Sequence, residues 1–381
     1  MMVRPGPESP LFESGAQTAR TKTTLPAGRS SESPILAHVK KGFRILFAAS
    51  LLLTACGPRT RQSEMAARHG IRVGYFPNIT HSQALIGLAR GDFAKALGPE
   101  LAIRTTVFNA GPSAIEALFA REIDLAYVGP NPAINGYVQS GGRALRIVAG
   151  AASGGAALVV NPKLGIRSGK DLAGKRLASP QLGNTQDVAL RNYLVSQGLK
   201  LAEAGGSVSV IPTPNPQILD FFRRGDFDGA WVPEPWASRL VLEGGGTLFL
   251  DERELWPNGD FVTAHIIVAT EFLARRPDLV RTWLKTHVEV TRWELEHSNE
   301  ARTLVNEVIG KLTGKKLGDA VLAQAWLRLR PTWDPIAASL RQAAESAYAA
   351  GFLEARPDLR EIYDLHLLNE VLREMQLPEL R

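Results

Sequence analysis

The chain has 381 residues, of which 45% are hydrophobic and 22% charged, a composition long and apolar enough for two lobes with a core each. The net charge is +6, but residues 1–56 hold seven Lys or Arg against three Glu, so everything after Cys56 carries only +2. A nearly neutral body gives little support to nucleic-acid binding.

Residues 1–38 are rich in Ser, Pro, Gly and Thr and have no apolar period, so a disordered or mis-annotated extension is expected there. Lys40, Lys41 and Arg44 then form a positive stretch, followed by the apolar run Ile45–Leu53, too short to anchor stably across a bilayer. Leu53-Thr54-Ala55-Cys56-Gly57 looks like a bacterial lipobox, with small residues at the scissile bond and a thiol to carry lipid. Residues 39–56 are read as a lipoprotein signal peptide, with Val39 as the expected translation start, and 57–70 as a polar tether.

From Ile71 onward strand-like and helix-like runs alternate, the α/β pattern. Strands are expected at Ile71–Tyr75, Ile103–Phe108, Leu125–Val128 and Leu145–Ala149, with helices over Thr80–Arg90 and from Pro112 and Pro132. A second unit has strands at Ala157–Val160, Lys175–Ala178, Val208–Ile211 and Gly229–Val232, with helices at Thr185–Gln197 and Gln217–Arg223. Phe261–Thr270 is strand-like, and from Pro277 a helical pattern runs to the end, one helix carrying Leu322, Trp326 and Leu329. Two units and a return strand imply two lobes, 71–156 with 262–381 and 157–261. Crossings are expected near Gly155 and Phe261, the C-terminal helices on the first lobe, and a ligand cleft between the lobes.

Four loops follow strands and open helices: Pro77–His81, Asn109–Ser113, Gly129–Pro132 and Gln181–Gln186. In an open α/β sheet such loops lie at the carboxyl ends of the strands, where ligands bind. Helix starts offer unpaired N–H groups and a positive dipole end, so several around one cleft can hold an anion without a formal cation. The same residues are ordinary caps when taken singly. Val232-Pro233-Glu234-Pro235-Trp236 presents a carboxylate and an indole with little backbone freedom. Glu234 in the cleft suits an amphoteric ligand such as taurine; the competing reading has it facing away and capping its own helix.

The segments FNAGPSAIEALFAREIDLAYVGPNPAI, IRSGKDLAGKRLASPQLGNTQDVALR and GDFDGAWVPEPW resemble, in that order, the nitrate/sulfonate/taurine substrate-binding proteins, the SsuA/THI5-like, NMT1-type group. The resemblance implies a type II periplasmic-binding-protein fold, partnership with ABC permease and ATPase subunits, and a ligand oxyanion at the helix starts. Carried over residue by residue, it points to Asn78, His81, Gly111, Ser113, Asn131, Asn184, Thr185 and Gln186, with Glu234 and Trp236 at the later contact loop. The four loops contain no Arg or Lys, unlike a site for a strong dianion.

The sequence has no second Cys, no HExxH, no GxSxG, and a Gly310–Lys316 stretch with the wrong spacing for a phosphate loop. The expectation is a monomeric, periplasmic, lipid-anchored binding protein without metal, cofactor or enzymatic activity. The alternatives are a thiamine-pyrimidine-type (THI5-like) protein or enzyme on the same fold, and a ligand-sensing lipoprotein. The N-terminal reading predicts that mature protein begins at lipidated Cys56; mass spectrometry of the membrane fraction checks this, and a soluble, unlipidated wild-type product contradicts it.

Overall fold

The computed structural model of the chain describes residues 70–380. The expected extension, the signal segment with Cys56 and the tether up to residue 69 lie outside the described residues. Among those residues, no helix is long and apolar enough to cross a membrane.

In chain order the first unit runs β1 (Gly70–Tyr75), α1 (Ser82–Arg90), α2 (Asp92–Leu97), β2 (Ala102–Val107), α3 (Gly111–Phe119), β3 (Leu125–Val128), α4 (Pro130–Gln139) and β4 (Leu145–Gly154). The second runs β5 (Ala156–Val160), β6 (Arg176–Ser179), α5 (Thr185–Ser196), β7 (Ser209–Pro212), α6 (Asn215–Arg224), β8 (Gly229–Pro233), α7 (Trp236–Leu242) and β9 (Thr247–Asp251). The chain continues as β10 (Val262–Ala269), α8 (Thr270–Arg275), α9 (Pro277–Glu296), α10 (Ser298–Thr313), α11 (Asp319–Trp326), β11 (Leu329–Pro331), α12 (Ala337–Ala349) and α13 (His366–Glu374).

The strands form two sheets, in the orders β11-β4-β10-β3-β1-β2 and β7-β6-β8-β5-β9. In the first, β1 lies parallel between β2 and β3, and β10 is antiparallel beside β3. The second repeats this plan: β6 lies parallel between β7 and β8, and β5 is antiparallel beside β8. β3 and β5 read LAYV and AALVV and are buried at every position, as central strands covered on both faces require. The α/β, two-lobed architecture agrees with the expectation. The chain passes between the sheets at Gly154 and Gly155 and returns between Asp251 and Val262. Both glycines have positive φ, and a Cβ on Gly154 would sit 2.5 Å from the Arg328 carbonyl oxygen, so the first passage tolerates no side chain there.

Helices cover both faces of each sheet. On one face of the first sheet α1, α2 and α9 surround a core in which Phe93 and Trp283 stack at 3.7 Å between ring centroids. α3, α4 and α12 cover the other face. The C-terminal part is not confined to the first sheet, as the sequence had suggested: α12 also packs on α5, and α11 on α7. Nor does a helix continue through Leu329. It stops at Trp326, and Leu329–Pro331 adds to the sheet edge against Ala152–Gly154. Pro331, which can neither donate a ladder bond nor extend a helix, is tolerated at that edge.

α9 buries a carboxyl group, Glu294, against α1; burial pushes its pKa up to about 8, with Ser82 acting weakly in the other direction. The folded state therefore keeps this proton where the unfolded chain, at about 4.5, has lost it. Stability from this group is full below pH 4.5 and falls as pH rises toward 8. Denaturant titrations at pH 5 and pH 8 should show Glu294→Gln gaining at least about 1 kcal/mol over wild type between the two; an unchanged difference contradicts the buried, protonated group.

Candidate functional site

The carboxyl ends of β1, β2, β3, β6 and β7 converge between the two sheets. Their loops enclose an inner chamber of about 40 Å³, room for a few waters or one compact polar group. Asn78, His81, Gly111, Asn184, Thr185 and Gln186 line it, together with Phe76, Thr80, Asn109, Asn215 and Thr263. Ser113, Asn131, Glu234 and Trp236 do not. No Lys, Arg, Asp or Glu is among the residues lining the chamber.

Each lining residue is held by its own local chemistry. The Asn78 side-chain oxygen accepts from the Thr80 amide and hydroxyl, both at 3.0 Å, which fixes the turn after β1. The His81 Nδ1 accepts from the Phe76 amide at 3.2 Å, and the ring stacks on Phe76 at 4.3 Å. With Nδ1 accepting, the proton sits on Nε2. Burial pushes the His81 pKa down to about 3, so the ring is a neutral donor at physiological pH. Asn184 caps α5 by accepting from the Asp187 amide at 3.0 Å. Asp187 is fully buried beneath the loop: it accepts from the Ser179 hydroxyl at 2.6 Å and the Gly183 amide at 2.9 Å and pairs with Arg191 at 3.2 Å. Asp187 thus holds the Gly183–Gln186 loop rather than a ligand.

Several helix starts at the chamber lack a side-chain cap, among them those of α3 and α4. Neither α3, preceded by Ala110, nor α4, preceded by Gly129, has a side-chain cap, and each carries Pro in its first turn. The free N–H groups are those of Gly111 and Ser113 at α3 and of Asn131 alone at α4, since Pro112, Pro130 and Pro132 have none; no cap supplies them with an acceptor. Glycines bring these backbones together. A Cβ on Gly111 would lie 2.3 Å from Pro132 Cγ, and one on Gly129 2.2 Å from Thr185 Oγ1, across the gap between the sheets. Two buried oxygens at the chamber, Thr185 Oγ1 and Asn215 Oδ1, have no hydrogen-bond partner. Burial of such groups costs about 1–3 kcal/mol each unless something pairs with them.

An adjoining chamber of about 260 Å³ shares Phe76, Asn78, Asn109 and Asn215 with the inner one. Trp236 lies here as a half-buried wall, with the Arg239 guanidinium 4.5 Å from its ring centroid.

Other expected contacts have hydrogen-bond partners within the protein. Asn131 is buried and donates from Nδ2 to the Ala343 carbonyl at 3.2 Å, tying α4 to α12. Glu234 is fully buried, and its carboxylate accepts from the Ser238 amide and hydroxyl, each at 3.0 Å, and from Arg328 at 2.8 Å. Burial raises its pKa, while the Ser238 amide and the Arg328 charge lower it. Of the two readings of Glu234, the geometry is that of the helix cap. Asn215 is a chamber residue outside the four loops: Thr213-Pro214-Asn215-Pro216 follows a strand and opens a helix as they do.

The NMT1-like family model matches residues 65–310. The chain belongs to the NMT1-like family. All three resembling segments fall within that range. The putative aliphatic sulfonates-binding protein of Bacillus subtilis is 25% identical over 341 residues, 88% of this chain and 98% of that protein. The taurine-binding periplasmic protein of Escherichia coli is 28% identical over 207 residues, 54% of this chain and 61% of that protein. Among solved structures, the alkanesulfonate-binding protein SsuA from Xanthomonas axonopodis pv. citri bound to MOPS has a TM-score of 0.63 at 21% identity, covering 75% of this chain and 95% of that one. The periplasmic nitrate-binding protein NrtA from Synechocystis PCC 6803 has a TM-score of 0.65 at 17% identity, covering 81% and 89%. At these identities the structures share this NMT1-like chain's fold.

Arg328→Ala should cost about 3 kcal/mol of stability, because it strips a buried carboxylate of its partner; denaturant unfolding measures this, and a loss below about 0.5 kcal/mol contradicts the pair's structural role.

Proposed function

We propose that this chain is the extracytoplasmic solute-binding component of an ABC importer, and that its solute is a small organic oxyanion of the sulfonate class. The observation that carries the reading is the inner chamber: uncharged, bordered by two uncapped helix starts, with an unpaired Thr185 hydroxyl from the facing lobe. Such a site supplies N–H and O–H donors to an anion without a counter-cation. Asn215 joins them with its amide turned so that Nδ2 faces the ligand. The names of the relatives, a sulfonate binder and a taurine binder, support the same class. A carrier that surrenders its solute to a permease has reason to avoid an ion pair, which would slow release.

The remaining parts of the reading rest on the residues before Gly70 and on the two-lobed plan. Export and lipidation at Cys56 would hold the protein at the outer face of the membrane beside its permease. Binding by Gly111 on one lobe and Thr185 on the other would draw the lobes together about Gly155 and Phe261, because the ligand gains contacts from both only in the closed form.

Calorimetry with methanesulfonate tests the site. Thr185→Val should lose about 1–3 kcal/mol of binding free energy, the scale of a hydrogen bond to a charged group. Affinity should stay flat from pH 5 to pH 8, since His81, held at about 3, remains neutral throughout. Affinity rising tenfold as pH falls through 6.5 would mean a titrating imidazole in the site, and failure of every sulfonate to bind overturns the proposal.

A further inference from the structure

A cleft of about 670 Å³ lies at the return passage between the sheets and shares no lining residue with the two chambers described above. Three elements wall it: α5 of the second unit, with Asn192 and Tyr193; the return passage, with Glu252, Leu255 and Trp256; and α12, with Gln342. Its volume is that of a small-molecule site. Its walls come from both lobes and from the segment that joins them.

The passage opens with Asp251-Glu252-Arg253-Glu254, whose acidic residues have different tasks. Asp251 and Glu254 form a capping box: Asp251 Oδ1 accepts from the Arg253 amide, and Glu254 Oε1 from the Asp251 amide, each at 3.1 Å. Asp251 is also paired with Arg253 at 2.7 Å. Glu252 takes no part in this. It is 3% exposed, its Oε2 accepts from the Trp231 indole at 2.8 Å, and among the described residues no cation pairs with it. Burial pushes its pKa up to about 7, opposed by hydrogen bonds from the Trp231 and Trp256 indoles and assisted by Asp251. Neutral indoles occupy the lone pairs of a carboxylate without compensating its charge, and an uncompensated buried charge is costly. Asp260, the other carboxylate of the lining, is exposed and paired with Arg330 at 2.6 Å. No Lys or Arg is among the residues lining the cleft.

Aromatic rings surround this carboxylate and are held in place by one another. Tyr193 packs on Trp231 with 5.6 Å between ring centroids, and Trp256 stacks on Phe261 at 5.4 Å. Aromatic faces attract a cation, most strongly where water is excluded. We propose that this cleft is a second ligand site, which takes a small organic ammonium with its nitrogen at the Glu252 carboxylate and its apolar body against Tyr193, Leu255 and Trp256. The cation would supply the charge that Glu252 lacks, and Asn192 and Gln342 offer amides from the two lobes. The inference is independent of the oxyanion reading: it concerns other residues and a ligand of opposite charge.

Calorimetric titration of the full chain with phenethylammonium and with 2-phenylethanol, which has the same ring and chain without the charge, tests this at pH 8, where most of Glu252 is ionised. Wild type should bind the ammonium at least about tenfold tighter than the alcohol. Glu252→Gln keeps an acceptor for the Trp231 indole and should bring that ratio toward one. Ala338→Trp, at an exposed position on the cleft wall, fills the space and should abolish binding of the ammonium; circular dichroism confirms that each variant is folded. Ammonium binding no tighter than the alcohol, ammonium binding retained in Ala338→Trp, or a folded Glu252→Gln protein with the wild-type preference each overturns the site. Where Glu252→Gln fails to fold, the wild-type ratio and the Ala338→Trp arm decide.

Discussion

The two lobes meet where the Gly129 backbone of one packs against the Thr185 side chain of the other. A Cβ at 129 would lie 2.2 Å from Thr185 Oγ1, so this contact is possible only with glycine or with a different separation of the sheets. The rest of the site follows from that approach. It sets the start of α4 beside the start of α5, closes the inner chamber, and leaves Thr185 Oγ1 buried without a protein partner. Gly111, which a Cβ would drive into Pro132, does the same for α3 and α4 within one lobe. Small residues at helix starts here serve to bring N–H groups together.

Formal charge has been kept for the scaffold. Asp187 with Arg191 fixes the loop of α5, and Glu234 with Arg328 links the segment before α7 to the segment before β11. Both carboxylates are fully buried, so removing either cation would leave an uncompensated charge. Beside these pairs the chamber itself is neutral, including a histidine held unprotonated by burial. An anion there would be stabilised by dipoles and hydrogen bonds that do not depend on pH across the physiological range.

Much of this was legible in the sequence because it is local. Strands such as Leu125–Val128 and Ala156–Val160 are short apolar runs bounded by turn residues, and the loops after β1, β2, β3 and β6 carry the Gly, Pro, Asn and Thr that open helices. Asn215 obeys the same grammar. Once the second sheet is seen to repeat the first, the loop after β7 stands where the loop after β2 does, and Asn215 is its counterpart to Asn109 and Gly111. What could not be read were pairings between distant segments. Glu234 looks like a ligand contact until Arg328, 94 residues away, is seen to occupy it. Leu329 fits the helical period after Leu322 and Trp326, and only the open edge beside Gly154 makes it a strand. Asn131 has the form of a site residue, yet its partner is a carbonyl on α12.

The central claim is that an oxyanion sits in the inner chamber, shared between the starts of α3 and α4 on one lobe and Thr185 on the other. The most direct measurement is a crystal structure of the chain grown with benzenesulfonate, with the sulfur located by its anomalous scattering. The account predicts sulfonate oxygens within hydrogen-bond distance of Thr185 Oγ1 and of backbone N–H groups at the starts of both helices. A sulfur position outside the cleft would contradict it.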